Sequence, residues 1–216
     1  MKASTFRKPD GNRNSALIVE GEPMKTGPRT YVVLGVMRGG TTMVGGIMRA
    51  LGVFMGDNID ENNQESMDFH GRTPDQLAEV IARNNSNHQV WGWKHPNAAD
   101  YLEGVWPHLV NPHAICVYRD AVANGQALNR WHPFSKMDAI QAALRRQQRN
   151  LNLVSKLAGP KIFVSYEKAE RNKRLFLTEF SGLLGIRPRH DEFDFVAFMQ
   201  SGSYKKLEDY RKIPKA

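Results

Sequence analysis

Only one cysteine, Cys116, occurs in 216 residues. That excludes an internal disulfide and fits a reducing compartment, so the expected location is cytoplasmic. No apolar run approaches the about 18 residues that span a bilayer, and residues 1–30 lack the apolar stretch of a secretory signal. A membrane partner is therefore not expected. The Lys and Arg residues that give a formal charge of +8 are scattered, with no basic patch interleaved with aromatics, so nucleic acid is not expected either. The excess charge reads as a generally basic surface or as attraction for an anionic ligand. There is no internal repeat, low-complexity tract or sign of a second domain.

One further absence is the most informative. Gly35 and Gly40 have the spacing of the triphosphate-binding loop G-x-x-x-x-G-K-[ST], yet Thr41 stands where the lysine belongs. The one cation of the loop is Arg38. Around it, Tyr31-Val32-Val33-Leu34 reads as a buried strand, the glycines as a turn, and Thr42 as the start of a helix. In that geometry backbone N–H groups and a helix N-terminus cradle a phosphate. A loop that grips phosphate without the lysine points away from ordinary ATP or GTP hydrolysis.

Four apolar runs, 31–34, 89–93, 114–118 and 162–165, read as buried strands, and residues 16–19 as a short edge strand. Between them lie helical patterns. Residues 42–51 carry Met43, Val44, Ile47, Met48 and Leu51 on one stripe, with Gly52 placed to end the helix. Thr73 and Pro74 suit the N-cap and first turn of a helix bearing Leu77, Val80 and Ile81. A long helix over 137–157 is expected to turn Ile140, Leu144, Leu151 and Val154 inward, and another runs over about 171–184 to Gly185. Strands alternating with helices imply an α/β three-layer sandwich with a central parallel sheet, a P-loop-like nucleotide-binding fold. The expected organisation is a loosely ordered lead-in over 1–30 and a single domain over 31–216. Ligands of such sheets bind at the carboxyl ends of the strands, where the Arg38 loop falls.

Three segments, taken in order, resemble one family. Val36-Met37-Arg38-Gly39-Gly40-Thr41-Thr42 is similar to the 5′-phosphosulfate loop of sulfotransferases, P-[RK]-[ST]-G-T-[TS]. Ala114-Ile115-Cys116-Val117-Tyr118-Arg119-Asp120 resembles their strand ending in Arg-Asp, which binds a 3′-phosphate. Ile162-Phe163-Val164-Ser165-Tyr166-Glu167, followed by Leu184-Gly185, looks like the V-x-Y-E…F-L-G passage of bacterial members. The resemblance spans about residues 31–186. It implies a donor, 3′-phosphoadenosine 5′-phosphosulfate, no required metal, and transfer of the sulfuryl group to a hydroxyl or amine of a small-molecule or carbohydrate acceptor.

On that resemblance the donor would lie along Met37, Arg38, Gly39, Gly40, Thr41, Thr42 and Arg119. Arg38 and Lys94, the latter in a Lys-x-Pro context, would face the transferring group and the leaving phosphate. Two residues compete as base: Glu65, in a passage where the family often has an acidic residue facing the acceptor, and His95, whose imidazole titrates near neutrality. Two departures stand against the pattern. Gly39 replaces a serine or threonine, and Ala127 replaces a serine that donates to the 3′-phosphate, a place Asn124 or Gln126 is positioned to fill. Phe69, Trp131 and Phe134 mark either an aromatic acceptor mouth or core packing. The tail over 203–212 reads as a frayed terminus or a basic flap over the nucleotide. Two rival functions remain: a P-loop kinase, which lacks its lysine and a metal-binding Asp, and a degenerate, non-catalytic nucleotide-binding protein of the same fold.

Overall fold

The computed structural model describes residues 14–130, 135–202 and 205–212. The chain enters through strand β1 (Leu17–Glu20) and passes to β2 (Arg29–Leu34), which leads through the glycine loop into helix α1 (Thr41–Ala50). A small hairpin, β3 (Ile59–Asp60) and β4 (Glu65–Ser66), precedes α2 (Pro74–Asn87) and β5 (Val90–Lys94). A short helix α3 (Leu102–Val105) is followed by β6 (Pro112–Tyr118), α4 (Ala121–Asn129) and α5 (Lys136–Val154). Strand β7 (Lys161–Ser165), helices α6 (Tyr166–Arg171) and α7 (Lys173–Leu184), and a last turn α8 (Phe195–Phe198) complete the order.

The sheet runs β1-β7-β6-β2-β5. Its four inner and right-hand strands are parallel, while β1 pairs antiparallel to β7 as an edge. Every residue of β2 is buried, as a central strand covered on both faces requires. Alternation then assigns the two cores. Tyr31 and Val33 face α1 and α7 through Val44, Ile47, Phe176 and Phe180, and Val32 and Leu34 face Trp91, Trp93, Leu77 and Ile81. Cys116 belongs to the second core, and burial pushes its thiol up to about 12. This is the three-layer α/β architecture expected from the alternating pattern. No helix among the described residues is long and apolar enough to cross a membrane.

Helix α2 starts as its sequence dictates. Thr73 accepts from the Gln76 N–H and Gln76 reaches back to the Thr73 N–H, a capping box with Pro74 in the first turn. Helix α5 departs from its hydrophobic pattern. Its inward row is Ala139, Ala143, Asn150 and Val154, while Leu144 and Leu151 are 52% and 41% exposed. The cause is close packing on α4. A methyl group on Gly125 would lie 2.9 Å from Ile140 Cγ1, so small side chains must occupy the interface. The expected helix over about 171–184 is α7, which closes on Gly185 at φ 68°; the short α6 before it, ending at Arg171, was not expected. Residues 1–13 of the expected lead-in lie outside the described residues, as do Trp131 and Phe134.

Candidate functional site

The loop between β2 and α1 is shaped by tight approaches and two left-handed residues. Arg38 sits at φ 59° and Gly40 at φ 93°. A Cβ on Gly40 would fall 2.1 Å from the Tyr166 ring, so glycine is needed both for the conformation and for the contact. Gly39 donates to Val36 O at 2.9 Å, and a Cβ there would lie 2.7 Å from that same oxygen. The missing Ser or Thr at position 39 is thus a steric consequence of this loop's path.

Three loop carbonyls are tied back by side chains from neighbouring elements. Asn150 Nδ2 donates to Gly35 O at 2.5 Å, Asn124 Nδ2 to Met37 O at 2.9 Å, and Arg119 Nη1 to Arg38 O at 2.7 Å. With those carbonyls engaged, the loop's anion-binding capacity rests on the orphan N–H groups that open α1. Asn124 is fully buried and spends its amide on the loop, so it anchors the cradle instead of replacing the absent serine.

Arg119 directly follows β6, beside the loop. Its guanidinium carbon lies 5.0 Å from the Tyr166 ring centroid, its carbonyl accepts from Gln147 at 2.8 Å, and its Nε is buried with no hydrogen-bond partner. Glu167 Oε1 stands 3.9 Å from that Nε, beyond hydrogen-bond distance, so the N–H keeps its donor for an incoming anion.

Lys94 ends β5, where Val33 and Lys94 stand in register across parallel strands. It is 1% exposed. Its ammonium is 2.6 Å from Glu65 Oε1 and donates to Asn63 O at 3.0 Å. Burial lowers its pKa, and the Glu65 carboxylate opposes that shift. The hairpin delivers both partners because Gln64 takes φ 57° and is bound by Arg49 at 2.6 Å. Phe69 then stacks on Trp93 at 4.2 Å, pinning the segment to β5. Phe69 is 2% exposed, which settles it as core and not as an acceptor wall.

Met37, Arg38, Gly40, Thr41, Thr42, Glu65, Lys94 and Arg119 line one cleft of about 430 Å³ at the carboxyl ends of the strands. Gly39 and His95 do not line it. The Trp93 indole donates to the Tyr101 hydroxyl oxygen at 3.0 Å, and that hydroxyl stands 3.0 Å from His95 Nδ1. His95 Nδ1 and the Tyr101 hydroxyl thus share one hydrogen bond, whose donor is set by the His95 tautomer. Burial, with His70 and Lys94 adding, lowers the His95 pKa to about 4.

The cleft is also bordered by the tail that the sequence left open between a frayed terminus and a basic flap. Lys205 is 7% exposed, lines the cleft, and donates to the carbonyls of Phe198 and Gln200. Burial lowers its pKa to about 8. Its own N–H reaches Asn62 O at 3.2 Å and its carbonyl accepts from Gln64 at 2.9 Å, so this part of the tail is docked on the hairpin and not frayed. The signal lay in Phe193, Phe195, Phe198, Leu207 and Tyr210, too many apolar groups for a solvated terminus. Ser203 and Tyr204 lie outside the described residues.

No protein-family model matches the chain, and no curated protein matches it in sequence. In three dimensions it is similar to a sulfotransferase domain, that of the olefin synthase of Synechococcus PCC 7002. The two share 17% identity and a TM-score of 0.57, over 92% of this chain and 82% of that one. This protein therefore has the α/β fold of a sulfotransferase domain.

Proposed function

We propose that this protein is a sulfotransferase that moves the sulfuryl group of 3′-phosphoadenosine 5′-phosphosulfate to a hydroxyl or amine of a small-molecule or carbohydrate acceptor in the cytoplasm. The observation that carries this reading is the convergence of Arg38, Lys94 and Arg119 on one cleft at the start of α1. The donor when bound supplies an activated sulfuryl group on a phosphate leaving group. The residues fit it: the α1 N-terminus and Arg38 suit the 5′ end, and Arg119 Nε, which has no hydrogen-bond partner and only a 3.9 Å ion pair to Glu167, suits the 3′-phosphate. In the transfer, the acceptor oxygen or nitrogen bonds to sulfur, the sulfur–oxygen bond to the phosphate breaks, and the acceptor proton leaves to a base. Arg38 and Lys94 neutralise the charge gathering on the leaving phosphate, a role for which no metal is required.

Glu65 is the base of this proposal. It lines the cleft, whereas His95 does not, and His95 Nδ1 is engaged with the Tyr101 hydroxyl. The Lys94–Glu65 pair also orients the carboxylate before an acceptor arrives. A transfer assay with labelled donor and a panel of phenol, sugar and amine acceptors tests the reading. Turnover that vanishes in Arg38→Ala supports it, and near-normal turnover in Arg38→Ala sinks it.

A second reading is a binding protein of the same fold without transfer. It is favoured by Ala127 and by the Glu65 contact that already occupies Lys94. Tight binding of the spent donor with no transfer to any acceptor would select it. The kinase alternative has no support in the cleft, where Thr41 occupies the lysine position.

A further inference from the structure

Behind the cleft wall, Glu65, His70 and His95 each present one ligand atom, and the three atoms lie within 4.8 Å of one another. Glu65 divides its oxygens: Oε1 is held by Lys94 at 2.6 Å, while Oε2 is 3.3 Å from His70 Nε2. That 3.3 Å approach lacks hydrogen-bond geometry, and His70 Nε2 is buried with no hydrogen-bond partner. A buried, unpartnered imidazole nitrogen beside a carboxylate oxygen is costly unless something else satisfies it. The His70 and His95 ring centroids lie 4.1 Å apart with their planes tilted by 30°.

We propose that Glu65, His70 and His95 form a binding site for a divalent first-row transition ion of the zinc class. Two imidazoles and one carboxylate suit zinc, and nitrogen donors disfavour magnesium and calcium. A tetrahedral ion with bonds of about 2.1 Å needs ligand atoms about 3.4 Å apart. The Glu65–His70 edge already has that length, at 3.3 Å. The His95 ligand atom lies within 4.8 Å of the other two, a gap that side-chain rotation would have to close on binding.

Tyr101 supplies the outer-shell partner that such sites use. When His95 Nε2 binds an ion its proton stands on Nδ1, and the Tyr101 oxygen 3.0 Å away accepts it. The ion would take Oε2 and leave Oε1 to Lys94. The site stands on this geometry alone and does not depend on sulfuryl transfer. If Glu65 is the base, occupancy withdraws its carboxylate, so the ion would act as an inhibitor and not as part of the reaction.

The test is calorimetric titration of chelator-stripped full-length protein with Zn²⁺, paralleled by the visible spectrum with Co²⁺. One ion per chain with a low-micromolar or tighter constant is expected, with ligand-field absorption from Co²⁺. His70→Ala and Glu65→Gln should each weaken binding at least tenfold, and His190→Ala, at an exposed histidine, should leave it unchanged. His95→Gln serves as a further ligand variant should His70→Ala not fold. Wild-type protein that takes up no Zn²⁺ at 100-fold excess would overturn the proposal. So would ligand variants that bind Zn²⁺ as tightly as the wild type.

Discussion

Lys94→Met separates the stability of the cleft from its chemistry. The substitution keeps the length of the side chain in a site that is 1% exposed but removes the cation. Glu65 then loses its 2.6 Å partner, and Asn63 O loses a donor. Breaking a buried ion pair by removing one partner costs about 3–5 kcal/mol. Because the Glu65 side chain retains 18% exposure to the cleft, the low end applies, about 3 kcal/mol. For a chain of this size that lowers the melting temperature by roughly 6–12 °C. Lys94→Met/Glu65→Gln removes both charges and should recover most of the loss, since replacing a whole buried pair is close to neutral. Neither variant should transfer sulfate. Urea unfolding of the wild type, both single variants and the double variant gives the coupling directly. A double variant as unstable as Lys94→Met alone would refute the pairing.

Arg119→Ala should weaken binding of adenosine 3′,5′-bisphosphate by about 10–100-fold, because it removes a charged donor and releases the Arg38 carbonyl; calorimetry reads it. Gly39→Ser, which restores the residue type of the sulfotransferase loop, should destabilise the protein by about 1–3 kcal/mol and weaken nucleotide binding, since its Cβ would crowd Val36 O at 2.7 Å. Equal stability with tighter binding would contradict the steric account. The His95 pKa, lowered from 6.5 to about 4, makes the unfolded chain bind the extra proton between those values. Stability should therefore rise as pH goes from 4 to 6.5, by about 3 kcal/mol in all. His95→Gln should flatten that part of the urea-midpoint profile.

The strands and the phosphate loop were legible because burial on both faces writes continuous apolar runs and a left-handed turn writes glycine. Arg38, Lys94 and Arg119 could be placed at strand ends from those runs alone. What escaped was governed by contacts between segments far apart in the chain. Asn150 looks like one more polar residue on a helix until Gly35 O, 115 positions earlier, is seen as its partner. The periodicity of α5 chose Leu144 and Leu151, but close packing against α4 favours alanine at the contact. His95 read as a base by residue type, and only the structure shows its Nδ1 engaged with Tyr101 and its side chain outside the cleft lining. The tail read either as frayed or as a flap, and only the contacts of Lys205 with Asn62 and Gln64 decide between them.

The central claim is that the cleft is built for a 3′-phosphorylated adenosine nucleotide. Calorimetric titration with adenosine 3′,5′-bisphosphate, set against ATP with magnesium, tests it most directly. Micromolar binding of the bisphosphate alone, weakened by Arg119→Ala, is the predicted result. Preference for magnesium–ATP, or binding of neither nucleotide, would contradict it.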